Sequence, residues 1–187
     1  MKPIKFMIPI AFAIAMAHSP LPQTPAPSAT PNQNAIKVTI ATTAGFLGKP
    51  ANRYKVGEQI PVDITMTNTS TAPVYTCISS DLYQDVPRLT RDGKLVPYMN
   101  DQTWEMVHAK DDHICQQENL PEPVLLKPNE PTVADWFMLV DSSPAGEADV
   151  WYDTLPAGKY ELTIQRRLAC CDGPMVESNK INFEVVP

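Results

Sequence analysis

The chain has 187 residues, a formal net charge of −6 and hydrophobic side chains at 43% of its positions. That acid excess argues against nucleic acid or an anionic membrane surface as a partner, because both reward a clustered basic face. Beyond the first residues, no stretch approaches the ~20 consecutive apolar residues that a membrane-spanning helix needs.

Lys2 and Lys5 precede an apolar run over residues 6–17 that ends in Ala15-Met16-Ala17, an A-x-A cleavage signature. Residues 1–17 therefore read as a secretory signal peptide, too short to cross a bilayer core, with no cysteine at the cleavage point to take a lipid. The expected destination is secreted or periplasmic, with no membrane insertion after cleavage. Loss of Lys2 and Lys5 would take the formal charge from −6 to −8. Residues 18–34 carry Pro20, Pro22, Pro25, Pro27 and Pro31 among small polar residues and read as a semi-rigid, disordered linker. About 150 residues remain, enough for one domain over 35–187.

Within that domain Ile36, Val38 and Ile40 alternate with Lys37 and Thr39, the period of a half-buried strand. Ile60, Val62, Ile64 and Met66 give the clearest alternation in the chain, with Pro61 confined to the strand's start, a bulge or an edge. Residues 68–73 are turn formers, and 74–78 return as a strand expected to close a hairpin. Asn68-Thr69-Ser70 also fits a glycosylation sequon. Arg91-Asp92-Gly93-Lys94 predicts a tight turn, and residues 95–98 leave it as an edge strand that tolerates Pro97. Residues 99–131 break the pattern. Then Trp136, Met138 and Val140 alternate with Phe137 and Leu139 in a strand apolar on both faces, expected to be central with Trp136 in the core. Val150-Trp151-Tyr152 forms an apolar island placed to cover one end of the fold. Pro156 and Gly158 make a corner feeding a strand with Tyr160, Leu162 and Ile164 on one face, and Ile181, Phe183 and Val185 mark the last strand.

All four cysteines, Cys77, Cys115, Cys170 and Cys171, follow the cleavage point of a chain bound for an oxidising space, so two disulfides are expected. Three connectivities are possible. If even-numbered side chains face inward along the strand of Tyr160, Cys170 faces the core and Cys171 does not, which favours Cys77 with Cys170 and Cys115 with Cys171. His108, Asp111, Asp112 and His113 cluster in the long segment, and imidazole with carboxylate is a zinc or copper donor set. No nucleophile elbow or phosphate-cradling glycine loop occurs, so neither catalysis nor a cofactor is expected.

The order Asp153, Gly158, Tyr160 entering a strand resembles the tyrosine corner of immunoglobulin-type sandwiches, whose phenol bonds back to nearby backbone. Ile64-Thr65-Met66-Thr67-Asn68-Thr69-Ser70, Leu126-Lys127-Pro128-Asn129-Glu130 and Leu155-Pro156-Ala157-Gly158-Lys159-Tyr160 resemble strand and turn segments of secreted bacterial Ig-like domains. The whole order is distantly similar to the bacterial intracellular proteinase inhibitor domain. The resemblance implies an all-β fold, an Ig-like antiparallel β-sandwich of about seven strands. Leu162 stands where antibody domains carry their second cysteine, so the ordinary Ig disulfide is not expected.

Three functions follow as expectations. The first is a non-enzymatic binding module that presents residues 99–131 to a protein or cell-envelope partner, with Trp104, His108 and His113 as contact residues. The second is a metal-binding protein using His108, Asp112 and His113, with Cys115 just beyond. The third, implied by the resemblance alone, is a protease inhibitor.

Overall fold

The computed structural model describes residues 33–45, 48–76, 78, 84–99, 123–140, 151–168 and 173–187. Within them the chain is all-β, with no α-helix and one 3-10 turn at Gln33–Ala35. The strands are β1 (Ile36–Thr42), β2 (Arg53–Lys55), β3 (Pro61–Asn68), β4 (Val74–Thr76), β5 (Asp85–Arg91), β6 (Lys94–Leu95), β7 (Val124–Leu126), β8 (Pro131–Met138), β9 (Gly158–Arg167), β10 (Met175–Glu177) and β11 (Ile181–Val186). These eleven exceed the expected seven because several are pieces of two or three residues.

Three sheets result. One has the order β1-β3-β8, the second β2-β11-β9-β5-β6 with β10 on β9, and the third pairs β4 with β7. All the pairings are antiparallel except that of β2 with β11. The two larger sheets share one apolar cluster. Ile36, Val38, Ile40, Val62, Ile64 and Met66 enter it from one side, and Leu89, Tyr160, Leu162, Ile164, Phe183 and Val185 from the other. Burying each such side chain contributes about 1.5–3 kcal/mol relative to leaving it exposed.

Several sequence expectations hold for the reasons given. Pro61 opens β3, where its missing N–H costs least. The turn after β5 has φ of 50° at Asp92 and 78° at Gly93, two successive positive values of the kind a type I′ hairpin requires. Tyr160, Leu162, Ile164 and Leu168 are all buried, so even-numbered positions face inward along β9 as expected. Trp151 and Tyr152 are buried too, at 1% exposure each.

Other expectations fail. The strand after residue 73 does not return onto β3; β4 pairs with β7, a strand inside the segment expected to break the pattern. Asn68 is fully buried and its amide is consumed: Nδ2 donates to Ala72 O (2.7 Å) and Leu126 O (3.0 Å), while Oδ1 accepts from Ser70 N and Oγ. The sequon is therefore a structural plug joining the turns at 68–72 and 126–129, with no exposed amide to take a glycan. Gly158 has no positive φ; a Cβ there would lie 2.6 Å from Arg91 Nε, so a larger residue would require the Arg91 side chain to shift.

The expectation for Trp136 fails most instructively. Among the described residues β8 pairs with β3 alone, at an edge of its sheet, and Trp136 is 39% exposed. The register explains it. Ile64 faces Asp135 but Thr65 faces Val133, which leaves Ala134 as an extra residue. Such a bulge flips the alternation, so Ala134 is buried at it and Phe137 and Leu139 after it, while Val133 and Trp136 point outward.

Candidate functional site

Two long connections, 100–122 and 141–150, leave the scaffold from Met99 and Val140, and the second returns at Trp151. The described start of the first and the return of the second meet in one aromatic cluster, while the first ends at β7 on β4. The Tyr98 ring lies 5.7 Å from Trp151 and 5.5 Å from Tyr152, and Phe137 meets Trp151 edge-on at 6.3 Å. Phe137 comes from β8 and Tyr98 from just beyond β6, so the cluster bridges the two larger sheets.

Backbone and hydroxyl bonds fix it. Met99 N donates to Trp151 O (2.9 Å), Tyr152 N to Leu139 O (3.1 Å) and Leu139 N to Ile60 O (2.9 Å). Tyr98 Oη donates to Pro87 O (2.8 Å), Tyr152 Oη donates to the same carbonyl (3.2 Å), and Tyr152 Oη accepts from Leu89 N (3.2 Å). Burial pushes both phenols above their ordinary range, with Arg88 pulling Tyr98 back somewhat and the Leu89 amide doing the same for Tyr152. Both hydroxyls therefore stay protonated and serve as donors, not as acid–base groups. Pro87 lacks an N–H, and its carbonyl is the shared acceptor that ties both rings to β5.

The start of β5 carries a different cluster. Asp85 and Arg166, register partners on β5 and β9, form an ion pair with side-chain exposures of 6% and 0%. Gln84 Nε2 donates to Arg167 O (3.0 Å), Arg167 N donates to Gln84 O (2.8 Å), and Thr76 Oγ1 donates to Leu168 O (2.8 Å), so β4, β5 and β9 are tied together there. Burial drives the Asp85 carboxyl up to about 6; Arg166 pulls it down, and Asp135 on β8 pushes it up. Asp85 Oδ1 and Arg166 Nε and Nη2 have no hydrogen-bond partner among the described residues. The parity of β9 was the signal for Arg166: every even position from 160 to 168 faces inward, and 166 is one of them.

An open groove of ≈ 560 Å³ lies on the outward side of β2, β11 and β9, lined by Arg53, Asp92, Lys159, Glu161, Asn182 and Glu184 among others. Register places Glu184 between Arg53 and Lys159, and Lys180 pairs with Glu161 at 3.0 Å. Alternating charge of this kind keeps a sheet face solvated.

The expected contact and ligand residues Trp104, His108, Asp112 and His113 lie outside the described residues, as do Asp111 and all four cysteines, Cys77, Cys115, Cys170 and Cys171. Residues 1–32, which include the expected signal peptide and nearly all of the linker, lie outside them too. Among the described residues no group of three or more His, Cys, Asp or Glu side chains converges to hold a metal ion, and no helix is long and apolar enough to cross a membrane. No family model matches the chain, and no curated protein matches it.

Proposed function

We propose that this chain is an exported, non-enzymatic interaction module built on an immunoglobulin-like β-sandwich, which presents the connection over residues 100–122, the part of the expected 99–131 segment that precedes β7, to a protein or cell-envelope partner. The observation that carries the reading is the aromatic anchor, where the start of one long connection and the return of the other meet on Tyr98, Phe137, Trp151 and Tyr152. A rigid base under variable connections is how a scaffold presents a binding surface.

Topology supports the sandwich. β5-β9-β11 run in the order of the C, F and G strands of an Ig domain, and β1-β3-β8 in the order of A, B and E. Tyr160, at the start of the F-like strand, donates its hydroxyl to Pro156 O at 2.6 Å, the backward bond of a tyrosine corner. Export rests on the leader-like residues 1–17. Two disulfides would brace an exported domain of this size.

The test removes residues 104–113 from the full chain and measures capture of a partner from an envelope extract. The deletion is expected to leave the unfolding midpoint in urea unchanged and to abolish capture. Capture that survives the deletion in a folded chain overturns the reading.

A further inference from the structure

Arg166 has more hydrogen-bonding capacity than its partner uses. Its Nη1 donates to Asp85 Oδ2, while Nε and Nη2 of the same fully enclosed side chain have no acceptor among the described residues. Those two nitrogens share one edge of the guanidinium plane, so their N–H bonds point the same way, as a fork that grips an anion. Asp85 Oδ1 is enclosed and unpaired as well.

Charged donors left unmet in an enclosed site are costly, so an orphaned buried fork marks a ligand that belongs there. Its neighbours decide which ligand. The charged groups that meet here are Asp85 on β5, Arg166 on β9 and Asp135 on β8, the last acting on the Asp85 carboxyl from the other large sheet. While both carboxylates are ionised, two negative charges already face one guanidinium, and a third is opposed. Once Asp85 takes a proton, Arg166 loses its counter-ion and the fork lies beside a neutral acid. Thr76, the buried polar residue that β4 brings to this end, donates its hydroxyl to Leu168 O at 2.8 Å and adds no charge.

We propose that Arg166 binds a small monovalent anion in this fork, and that the anion enters together with a proton on Asp85. The charges balance. One proton and one anion arrive, no other covalent bond changes, and the enclosed charge stays as it was. Arginine suits the site because it keeps its charge at every working pH and is more weakly hydrated than an ammonium. Asp85 suits the proton, since burial lifts its carboxyl to about 6 against the pull of Arg166. The inference does not depend on what residues 100–122 contact.

The Asp85 carboxyl of the full chain is titrated by NMR in sodium gluconate and in sodium chloride at equal ionic strength, gluconate being too large for an enclosed fork. Chloride at about ten times its dissociation constant should raise the midpoint of that titration by about one pH unit, a tenfold gain in proton affinity. Asp85→Asn imitates the protonated state, so its urea midpoint should be higher in chloride than in gluconate at every pH. Crystals of that variant grown with bromide should show the ion at the Arg166 fork. Asp85→Leu with Arg166→Met lacks the fork and should unfold alike in the two salts. A wild-type carboxyl that titrates identically in both salts overturns the proposal, and that measurement needs no variant to fold. So does a water in place of bromide in Asp85→Asn, or a chloride effect that persists in the double variant.

Discussion

Along β9 one phase runs unbroken, with Tyr160, Leu162, Ile164, Arg166 and Leu168 all buried, whereas β8 changes phase at Ala134, so that Phe137 and Leu139 are inward and Trp136 outward. The difference lies in their neighbours. β9 is hydrogen-bonded to β5 on one side and to β11 and β10 on the other, so a slip of one residue would break ladders along both edges. β8 is held by β3 alone among the described residues and can absorb an extra residue at the cost of one local irregularity. A doubly held strand therefore enforces its parity even on a charged side chain, and a singly held one can let a tryptophan out.

The largest expected effect breaks the first half of that contrast. Arg166 is buried because β9 cannot turn it outward, and it compensates Asp85, which is only 4% exposed. Arg166→Ala leaves that carboxylate buried without its partner and is expected to destabilise the chain by about 3–5 kcal/mol at neutral pH in urea unfolding. Replacing both partners, Asp85→Leu with Arg166→Met, should restore most of the loss, because apolar residues of similar volume remove the charge that needs compensating. A single Arg166→Ala that unfolds like the wild type would mean the pair is not enclosed.

The second half is sharpened by a pair of neighbours on β8. Phe137→Ala removes a buried ring from the core cluster and is expected to cost about 3 kcal/mol. Trp136→Ala, one residue away, should change stability by less than about 1 kcal/mol, because its ring already meets solvent. Regular pairing without the bulge would reverse the order of those two costs.

The same contrast decides what could be read from the residues alone. β1, β3, β9 and β11 keep a period of two over six residues or more, and their inward sides follow from that period. The corner at Pro156 and Tyr160 and the hairpin at Asp92-Gly93 are local chemistry, legible because the bonds they make close within a few residues. The bulge at Ala134 is not local: it is a mismatch between β8 and β3, some seventy residues apart, and nothing in the run of five apolar residues from Trp136 signals it. β7 was hidden for a related reason, since three residues carry no period and its partner β4 is equally short. Asn68 looked like a glycan acceptor because a sequon is defined by three side chains, whereas its burial depends on Leu126, 58 positions away. The aromatic anchor gathers Tyr98, Phe137 and Trp151 from three separate segments, so only the trio's composition, and not its meeting, was visible.

The last expected effect is spread across a pH window and tests whether parity on β9 carries a free-energy penalty. Burial holds the Asp85 carboxyl at about 6 in the folded chain against 3.8 for the ordinary group, despite the attraction of Arg166. Between those two values the folded chain keeps a proton that the unfolded chain has released, so protonation favours folding. The contribution from Asp85 is therefore fully present below about 3.8 and is lost as pH rises through about 6, a fall of no more than about 3 kcal/mol. Urea unfolding of Asp85→Asn across that window should show the slope reduced relative to the wild type, since an amide has no proton to release. A stability that instead falls as pH drops from 6 to 4, and a variant that cancels that fall, would mean Arg166 outweighs burial and holds the carboxyl below its ordinary value. The pair would then be a net support of the β5–β9 junction, and inward parity at position 166 would cost the fold nothing.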